Sequence, residues 1–228
     1  MRVCVFSALP SKKIKKMFLR NNFVVTTYKP DIVVSYGDSG TFLSAERNYP
    51  EIPKLIVKIK NKDLPFEVEE SELERIIPKI RKDYYKIVSF PKVETEFRKK
   101  KLLGTNEIQI RNKLPTQAIR FDITIGRKKI ENLIGDGVIV STPIGASGYY
   151  KAAGGKFFEN GIGVCLNNCG NCKVKSYILK GKEKIVFKLN LGEAQLAADN
   201  NPLILNVREK ESIEISKSDK KTNIIKVI

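Results

Sequence analysis

Gly135-Asp136-Gly137-Val138-Ile139-Val140-Ser141-Thr142-Pro143-Ile144-Gly145-Ala146-Ser147-Gly148-Tyr149-Tyr150-Lys151-Ala152-Ala153-Gly154-Gly155 is the stretch that decides how this chain is read. An acidic glycine turn leads into a short apolar strand, the strand into a loop of hydroxyl and glycine residues, and the loop ends on a tyrosine pair. Glycine lets main-chain amides approach a ligand closely, Ser and Thr offer adjustable hydrogen bonds, and a ring at the loop end gives a base a surface to stack on. Together these features point to a nucleotide pocket.

On the C-terminal side of residue 84 the chain reads mostly as strands, at 86–90, 94–98, 107–111, 118–125, 129–131, 137–141, 161–166, 176–179, 184–189, 203–207 and 212–215. Spacings of about 8 to 12 residues with turn signals between them are those of an all-β sandwich. On the N-terminal side, strands and helices alternate. Strands are expected at 2–8, 23–28, 31–36 and 54–59, a helix at 12–21 capped by Ser11, and a helical turn at 42–47. A second helix is expected at 71–81, opened by a Ser-x-x-Glu capping box at Ser71. This alternation implies a small α/β domain with a largely parallel sheet, and the expected division is 1–85 and 86–228.

Composition narrows the chemistry. Lys and Arg total 42 against 25 Asp and Glu, a formal charge of +17, and there is no histidine. The charge suits polyanions, while the missing histidine excludes His-based triads, His metal sites and His general bases. Proton transfer then falls to Asp, Glu, Lys, Tyr or water. No apolar run approaches the roughly 20 residues that span a bilayer, and the opening residues read as a strand, so a cytoplasmic protein without membrane contact is expected.

Two further features read as structural. Cys165, Cys169 and Cys172 have spacing that could grip zinc or an iron-sulfur cluster, but they follow an apolar strand without an evident fourth ligand. They are read as free thiols in a strand-to-loop turn, and no metal site is assigned. The basic run Phe97-Arg98-Lys99-Lys100-Lys101 is read as a solvated strand end, so nucleic acid is not the expected partner.

Two more stretches join the first. A strand feeds Gly37-Asp38-Ser39-Gly40-Thr41 and then a helix start, where free amides and the helix N-terminus suit phosphate oxygens. Asn106-Glu107 begins a strand near the expected domain junction. In this order, the three stretches resemble the signatures of the NAD kinase family: its Gly-Gly-Asp-Gly-Thr loop, its Asn-Asp/Glu pair, and its long Gly-Asp-Gly to Gly-Gly segment. Ala198-Asp199-Asn200 stands where that family has an Asp-Gly turn, with Asn in place of Gly.

The resemblance runs from about Asp31 to Ile215 and implies a Rossmann-like N-terminal domain carrying a phosphate loop, joined to a dinucleotide-binding β-sandwich. It implies transfer of the ATP γ-phosphate to the adenosine ribose 2′-hydroxyl of NAD, giving NADP, with Mg²⁺ and with ATP or polyphosphate as donor. Asn106 and Tyr149 would then hold the adenine end, Glu107 the ribose hydroxyls, and Asp136, Ser147 and Gly148 other polar edges of the dinucleotide. Gly37, Gly40 and Thr41 would line the phosphate loop, and a homodimer or homotetramer is implied.

The chain departs from the pattern where catalysis is expected. Aligned without gaps, Asp38 falls on the family's second Gly and Ser39 on its catalytic Asp. Serine is neither a carboxylate base nor a strong magnesium ligand at neutral pH. Asp38 and Ser39 are therefore the catalytic candidates. The alternatives are a nucleotide-binding relative with weak or no turnover, and a basic RNA-binding protein.

Overall fold

The computed structural model describes residues 1–59 and 64–228. They form two compact units, the first of residues 1–90 with 221–228, the second of residues 91–220.

In the first unit the chain runs through β1 (Arg2–Phe6), α1 (Lys12–Arg20), β2 (Val24–Val25), β3 (Ile32–Gly37), α2 (Ser39–Asn48), β4 (Lys54–Lys58), β5 (Val68–Glu69) and α3 (Leu73–Arg81), then enters β6 (Tyr85–Phe97). Strands β2, β1, β3, β4 and β5 pair side by side, all parallel. Every residue of β3 and β4 is buried, as expected of parallel strands covered on both faces. Ile14 and Phe18 of α1 with Ile76, Ile77 and Ile80 of α3 pack on Val34, Leu55 and Val57. Cys4, Val33 and Ala45 form a smaller cluster. Lys54 and Lys58 sit inside an apolar strand because each meets a buried carboxylate, Glu46 and Glu67 respectively.

Several sequence expectations shift here. Ser11 precedes α1 but its side chain makes no capping bond. The capping box ahead of α3 is built by Glu69 and Glu72, on a 3-10 turn spanning Glu70–Glu72, so Ser71 already lies inside the turn. Glu69 ends β5 in an extended conformation, which is what a cap residue requires. The helix expected at 42–47 begins at Ser39, because Asp38 caps it. The strands expected at 2–8 and 23–28 contract to Arg2–Phe6 and Val24–Val25.

The second unit continues through β7 (Lys100–Gly104), β8 (Glu107–Asn112), β9 (Ile119–Ile125), β10 (Lys128–Gly135), β11 (Gly137–Ser141), α4 (Tyr149–Ala152), β12 (Ile162–Asn167), β13 (Ser176–Leu179), β14 (Ile185–Leu191), β15 (Ala194–Ala198), β16 (Leu205–Val207) and β17 (Ser212–Val227). One sheet has the order β13-β12-β11-β8-β15-β16, with every neighbouring pair antiparallel. Facing it are β10, β9, β14 and β17, paired in that order, and the β6–β7 hairpin. Ile108, Ile110, Val138, Val140 and Val164 of the first sheet meet Phe121, Ile123, Phe187 and Ile213 in one core, the interdigitation that defines a sandwich. Strand β11 is buried throughout because its other face is covered too: Ile139 packs with Ala146, Tyr150, Phe158 and Cys165.

The segments read as 86–90 and 94–98 form the single strand β6. The basic run 97–101 is the tip of the β6–β7 hairpin, with Arg98 and Lys99 at positive φ. There Arg98 pairs with Glu211 at 2.6 Å and Lys101 with Glu94 at 3.1 Å. Strands β7 and β15 lie where the sequence shows no strand pattern, one beginning with two lysines and the other rich in alanine. The strand read at 212–215 continues to Val227, and its last part returns to the first unit, where Ile224 pairs with Lys54 and Ile225 joins the core. The division expected at residues 85 and 86 differs from the observed units in this return and in the boundary, which falls between residues 90 and 91. Among the described residues no helix is long and apolar enough to cross a membrane.

Candidate functional site

Strand β11 delivers Ser141 and Thr142 against the start of β8. The Thr142 amide donates to the Asn106 carbonyl at 2.8 Å, and the Thr142 hydroxyl donates to the Thr105 carbonyl at 2.6 Å. The Ser141 hydroxyl adds a bond to the Asn106 carbonyl at 3.2 Å. The loop then turns back on itself, with the Ile144 amide donating to the Thr142 hydroxyl at 3.2 Å. Gly145 is required by this proximity, since a Cβ there would lie 2.4 Å from the Asn106 carbonyl oxygen.

A single side chain fixes the other edge of the same backbone. Asp199, in a left-handed turn after β15, accepts from the amides of Thr105 at 2.7 Å, Asn106 at 2.8 Å and Glu107 at 3.0 Å. Its own amide donates to the Glu107 carbonyl at 3.1 Å. Residues 105–107 are thus clamped between a carboxylate and the 141–145 loop. What the clamp presents is unusual: Asn106 Oδ1 and Glu107 Oε2 are buried and have no hydrogen-bond partner among the described residues. Buried acceptors of this kind are costly unless a ligand supplies the donor.

The electrostatics follow from burial. Glu107 is pushed up to about 7 by desolvation first and by the Asp199 charge second, against the hydrogen bond that Gln109 donates at 3.0 Å. Asp199 is pushed up to about 6 by burial, against its three amide donors and the charge of Lys92. At neutral pH the three amides keep Asp199 ionised, and Glu107 is divided between its two forms.

Of the remaining expected residues of this unit, Ser147, Gly148 and Tyr149 follow the 141–145 loop, whereas Asp136 lies at the opposite end of β11, beside Arg111 and Asn112, so the structure does not bring it to Asn106 and Glu107. Asp136 accepts from the Asn168 side-chain amide at 3.1 Å, and its own amide donates to the Asn167 carbonyl at 2.9 Å. Ser147 ends a 3-10 turn spanning Gly145–Ser147, and Gly148 follows it, both exposed. Tyr149 is 62% exposed, with its ring available for stacking. Tyr150 instead turns inward, fully buried and edge-on to Phe158 at 5.3 Å between ring centroids.

In the first unit, Gly37 ends β3 and Asp38 caps α2. Asp38 Oδ1 accepts from both the amide and the hydroxyl of Thr41, each at 2.8 Å. These bonds, the amide foremost, hold its carboxyl below the usual range, and Lys58 adds to the effect. Ser39 and Gly40 form the first turn of α2, at the end of the helix that favours anions. Of the three clustered cysteines, Cys165 is buried with Tyr150 and Phe158. Among the described residues no group of three or more Cys, Asp or Glu is placed to hold a metal ion.

Sequence reasoning passed over Asp199 as an organiser and Thr142 as the loop's anchor. The signals for Asp199 were its place in the family's Asp-Gly turn, which speaks for the fold and not for a clamp, and its position directly before Asn-Asn-Pro, which reads as an ordinary turn.

The profile of the ATP-NAD kinase C-terminal domain matches residues 105–227, beginning at the first amide that Asp199 holds. The chain belongs to the NAD kinase family. It is 31% identical over 170 residues to the NAD kinase of Leuconostoc mesenteroides, an alignment covering 68% of this chain and 64% of that protein. The chain thus spans less than two thirds of the length of that relative. It is 26% identical over 224 residues to the NAD kinase of Sulfurisphaera tokodaii, covering 95% of this chain and 89% of the relative. The crystal structure of an NAD kinase from Archaeoglobus fulgidus in complex with ATP superposes with a TM-score of 0.82 at 21% identity, covering 98% and 93% of the two chains, which establishes the shared fold. The α/β unit and β-sandwich of this chain are those of NAD kinases.

Proposed function

We propose that this chain phosphorylates NAD to NADP at the 2′-hydroxyl of the adenosine ribose, with ATP as donor. The observation that carries the proposal is the pair of buried, unpartnered acceptors, Asn106 Oδ1 and Glu107 Oε2, on a backbone clamped by Asp199 and Thr142. An adenine amino group is a donor suited to an amide oxygen, and adjacent ribose hydroxyls are donors suited to a carboxylate. Tyr149 would stack on the base, and Ser147 and Gly148 would line the polar rim; Asp136, at the opposite end of β11, would meet only a distant part of the dinucleotide.

In the transfer, the ribose 2′-oxygen attacks the γ-phosphorus, its proton passes to a base or solvent, and the bond to the bridging oxygen breaks to release ADP. Little covalent work is asked of the protein; positioning and charge neutralisation carry the rate. Gly37, Gly40 and Thr41 at the start of α2 would receive the phosphates. Mg²⁺, usually held by substrate phosphates with one or two carboxylates, would neutralise their charge. The exposed Asp38 carboxylate is compatible with that demand and is the acidic group of this loop.

A second reading, binding with little turnover, is favoured by one specific observation. Asp38 Oδ1 is committed twice to Thr41, and the next residue is a serine. Incubation of purified protein with NAD, ATP and Mg²⁺, followed by NADP assay, separates the two. NADP formation abolished by Asp38→Ala supports the kinase. Dinucleotide binding without NADP, gained on Ser39→Asp, supports the second reading. Absence of any adenine-nucleotide binding overturns both. Polyphosphate in place of ATP defines the donor, and light scattering tests the homodimer or homotetramer expected of the family.

A further inference from the structure

Along β8 the side chains alternate between the two faces of the sheet. Ile108 and Ile110 enter the sandwich core, so Glu107 and Gln109 share the other face, where the Gln109 side-chain amide donates to Glu107 Oε1 at 3.0 Å. Solvent does not explain a glutamine at this position, since Gln109 is 8% exposed. Its cross-strand neighbours are Ile139 of β11 and Ala197 of β15, and Ile139 is itself buried with Tyr150, Phe158 and Cys165. A covered strand position of this kind ordinarily takes a β-branched or aromatic residue, and a buried amide is unfavourable there unless it is bonded. The one side-chain hydrogen bond that Gln109 makes among the described residues goes to Glu107.

That bond distinguishes the two oxygens of Glu107. Oε1 is held by Gln109, and Oε2 is the oxygen left buried without a partner. An ionised carboxylate only accepts hydrogen bonds, so the NH₂ end of the amide faces it, and a donor at this place favours the charged form. The other two influences on Glu107, burial first and the Asp199 charge second, push it up, to about 7. The groups on the neighbouring elements supply no second donor. Ser141 of β11 stands opposite Glu107, but its hydroxyl bonds to the Asn106 and Thr142 carbonyls. From the turn after β15 comes only the acceptor Asp199, and the charge of the buried Lys92 of β6 acts on Asp199. Arg111, the next cation on this face of β8, is exposed and lies four residues along the strand, roughly 14 Å away.

We infer that Gln109 is a positioning residue for the dinucleotide, turning the Glu107 carboxylate so that Oε2 meets the ribose hydroxyls and keeping that carboxylate charged. The inference rests on the NAD reading given above. Gln109 touches no substrate in this role and acts through Glu107 alone. Its reach is set by the strand, since residues two apart on one face of β8 stand side by side.

An apolar residue of similar size at position 109 leaves both oxygens of Glu107 buried without a donor, so the carboxyl holds its proton to higher pH. Protonated, Glu107 presents the ribose with a weaker acceptor. Affinity for the dinucleotide then falls at neutral pH and returns in alkali, a signature that a glutamine serving only to fill space would not produce.

The test compares the full chain with Gln109→Met, which keeps the volume and removes the donor, between about pH 6 and 9. In the ligand-free protein the carbon-13 carboxyl signal of Glu107 follows its titration, and the midpoint should move from about 7 to about 8. Calorimetric NAD affinity should fall about fivefold at pH 7, the ratio of ionised fractions for those midpoints, and return to within about twofold of the parent at about pH 9. Placed on Glu107→Gln, the same substitution should change affinity by less than about twofold at any pH, since no carboxylate is left to position. Gln109→Leu, smaller and equally without a donor, should give the same shift and takes the place of Gln109→Met if that variant does not fold. An unmoved Glu107 midpoint overturns the inference, as does an affinity loss that is equal at every pH or persists on Glu107→Gln. If NAD binds neither parent nor variant, the functional reading fails, while the Glu107 titration in the free protein still decides this one.

Discussion

Around Asn106 and Glu107 a buried carboxylate from a distant turn holds the backbone still, leaving the side chains to face a ligand; around Asp38 the carboxylate holds its own helix. Asp199 takes three amides and is partly buried, whereas Asp38 takes one amide and one hydroxyl of Thr41 and is exposed. The contrast separates two tasks within one family. Recognition residues are set in place before any ligand arrives, while the acidic residue of the phosphate loop must leave its cap to do anything else. A site can therefore keep its grip on a dinucleotide while its rate of transfer drifts.

The largest break in this comparison comes from Asp199→Ala. Three buried amides lose their acceptor, so urea unfolding should show a loss of about 3–5 kcal/mol, and NAD binding should disappear with it. Asp199→Asn, which keeps an acceptor oxygen, should lose less.

Next in size is the pH response of Glu107. A carboxyl raised from 4.5 to about 7 on folding binds its proton more tightly in the native state. Its contribution to stability is present in full below the unfolded value and is lost as pH rises through the folded value. Stability should thus fall by a few kcal/mol between about pH 4.5 and 7, and Glu107→Gln should flatten that limb of a urea-denaturation series. Binding should run the other way. Ribose hydroxyls prefer the ionised carboxylate, so calorimetric NAD affinity should strengthen from pH 6 to 8 in the parent and not in Glu107→Gln.

A methyl group tests the clamp's other edge. Gly145→Ala forces the loop from the Asn106 carbonyl and should cost about 1–3 kcal/mol, with a matching loss of affinity. Asp38→Ala should be the mildest for stability, about 1 kcal/mol in thermal unfolding for a lost cap, with NAD affinity unchanged. An Asp38→Ala protein that loses NAD binding would show that the two regions are not separable in this way.

Much of this was legible in the sequence, for reasons that differ by element. Gly137–Ser141 and Ser176–Leu179 were readable to the residue, since apolar and β-branched runs between turn signals have few alternatives. Strand β15 was not, because Ala-Gln-Leu-Ala-Ala carries no strand preference of its own and is held by pairing with β8 on one side and β16 on the other. The two lysines of β4 argue locally for a surface strand, and only partners distant in sequence or hidden in the fold, Glu46 and Glu67, explain their burial. Asn106 and Glu107 could be found by resemblance with their roles, whereas resemblance placed Asp199 only as a turn, and its hold on amides 92 to 94 positions away could not be read. A hydrogen bond from side chain to a remote backbone leaves no periodicity to read.

The return of β17 bears on how the chain is made. The core of the first unit includes Ile225, and Ile224 pairs with Lys54, so residues 1–90 have their sheet complete only with residues that are translated more than 130 positions later. During synthesis the N-terminal segment must wait, with the place beside Lys54 at the start of β4 unfilled, while the entire sandwich emerges and closes. Nascent-chain proteolysis should find the first unit cleavable until the last strand clears the ribosome, an ordering opposite to the usual N-terminal-first course of domain folding.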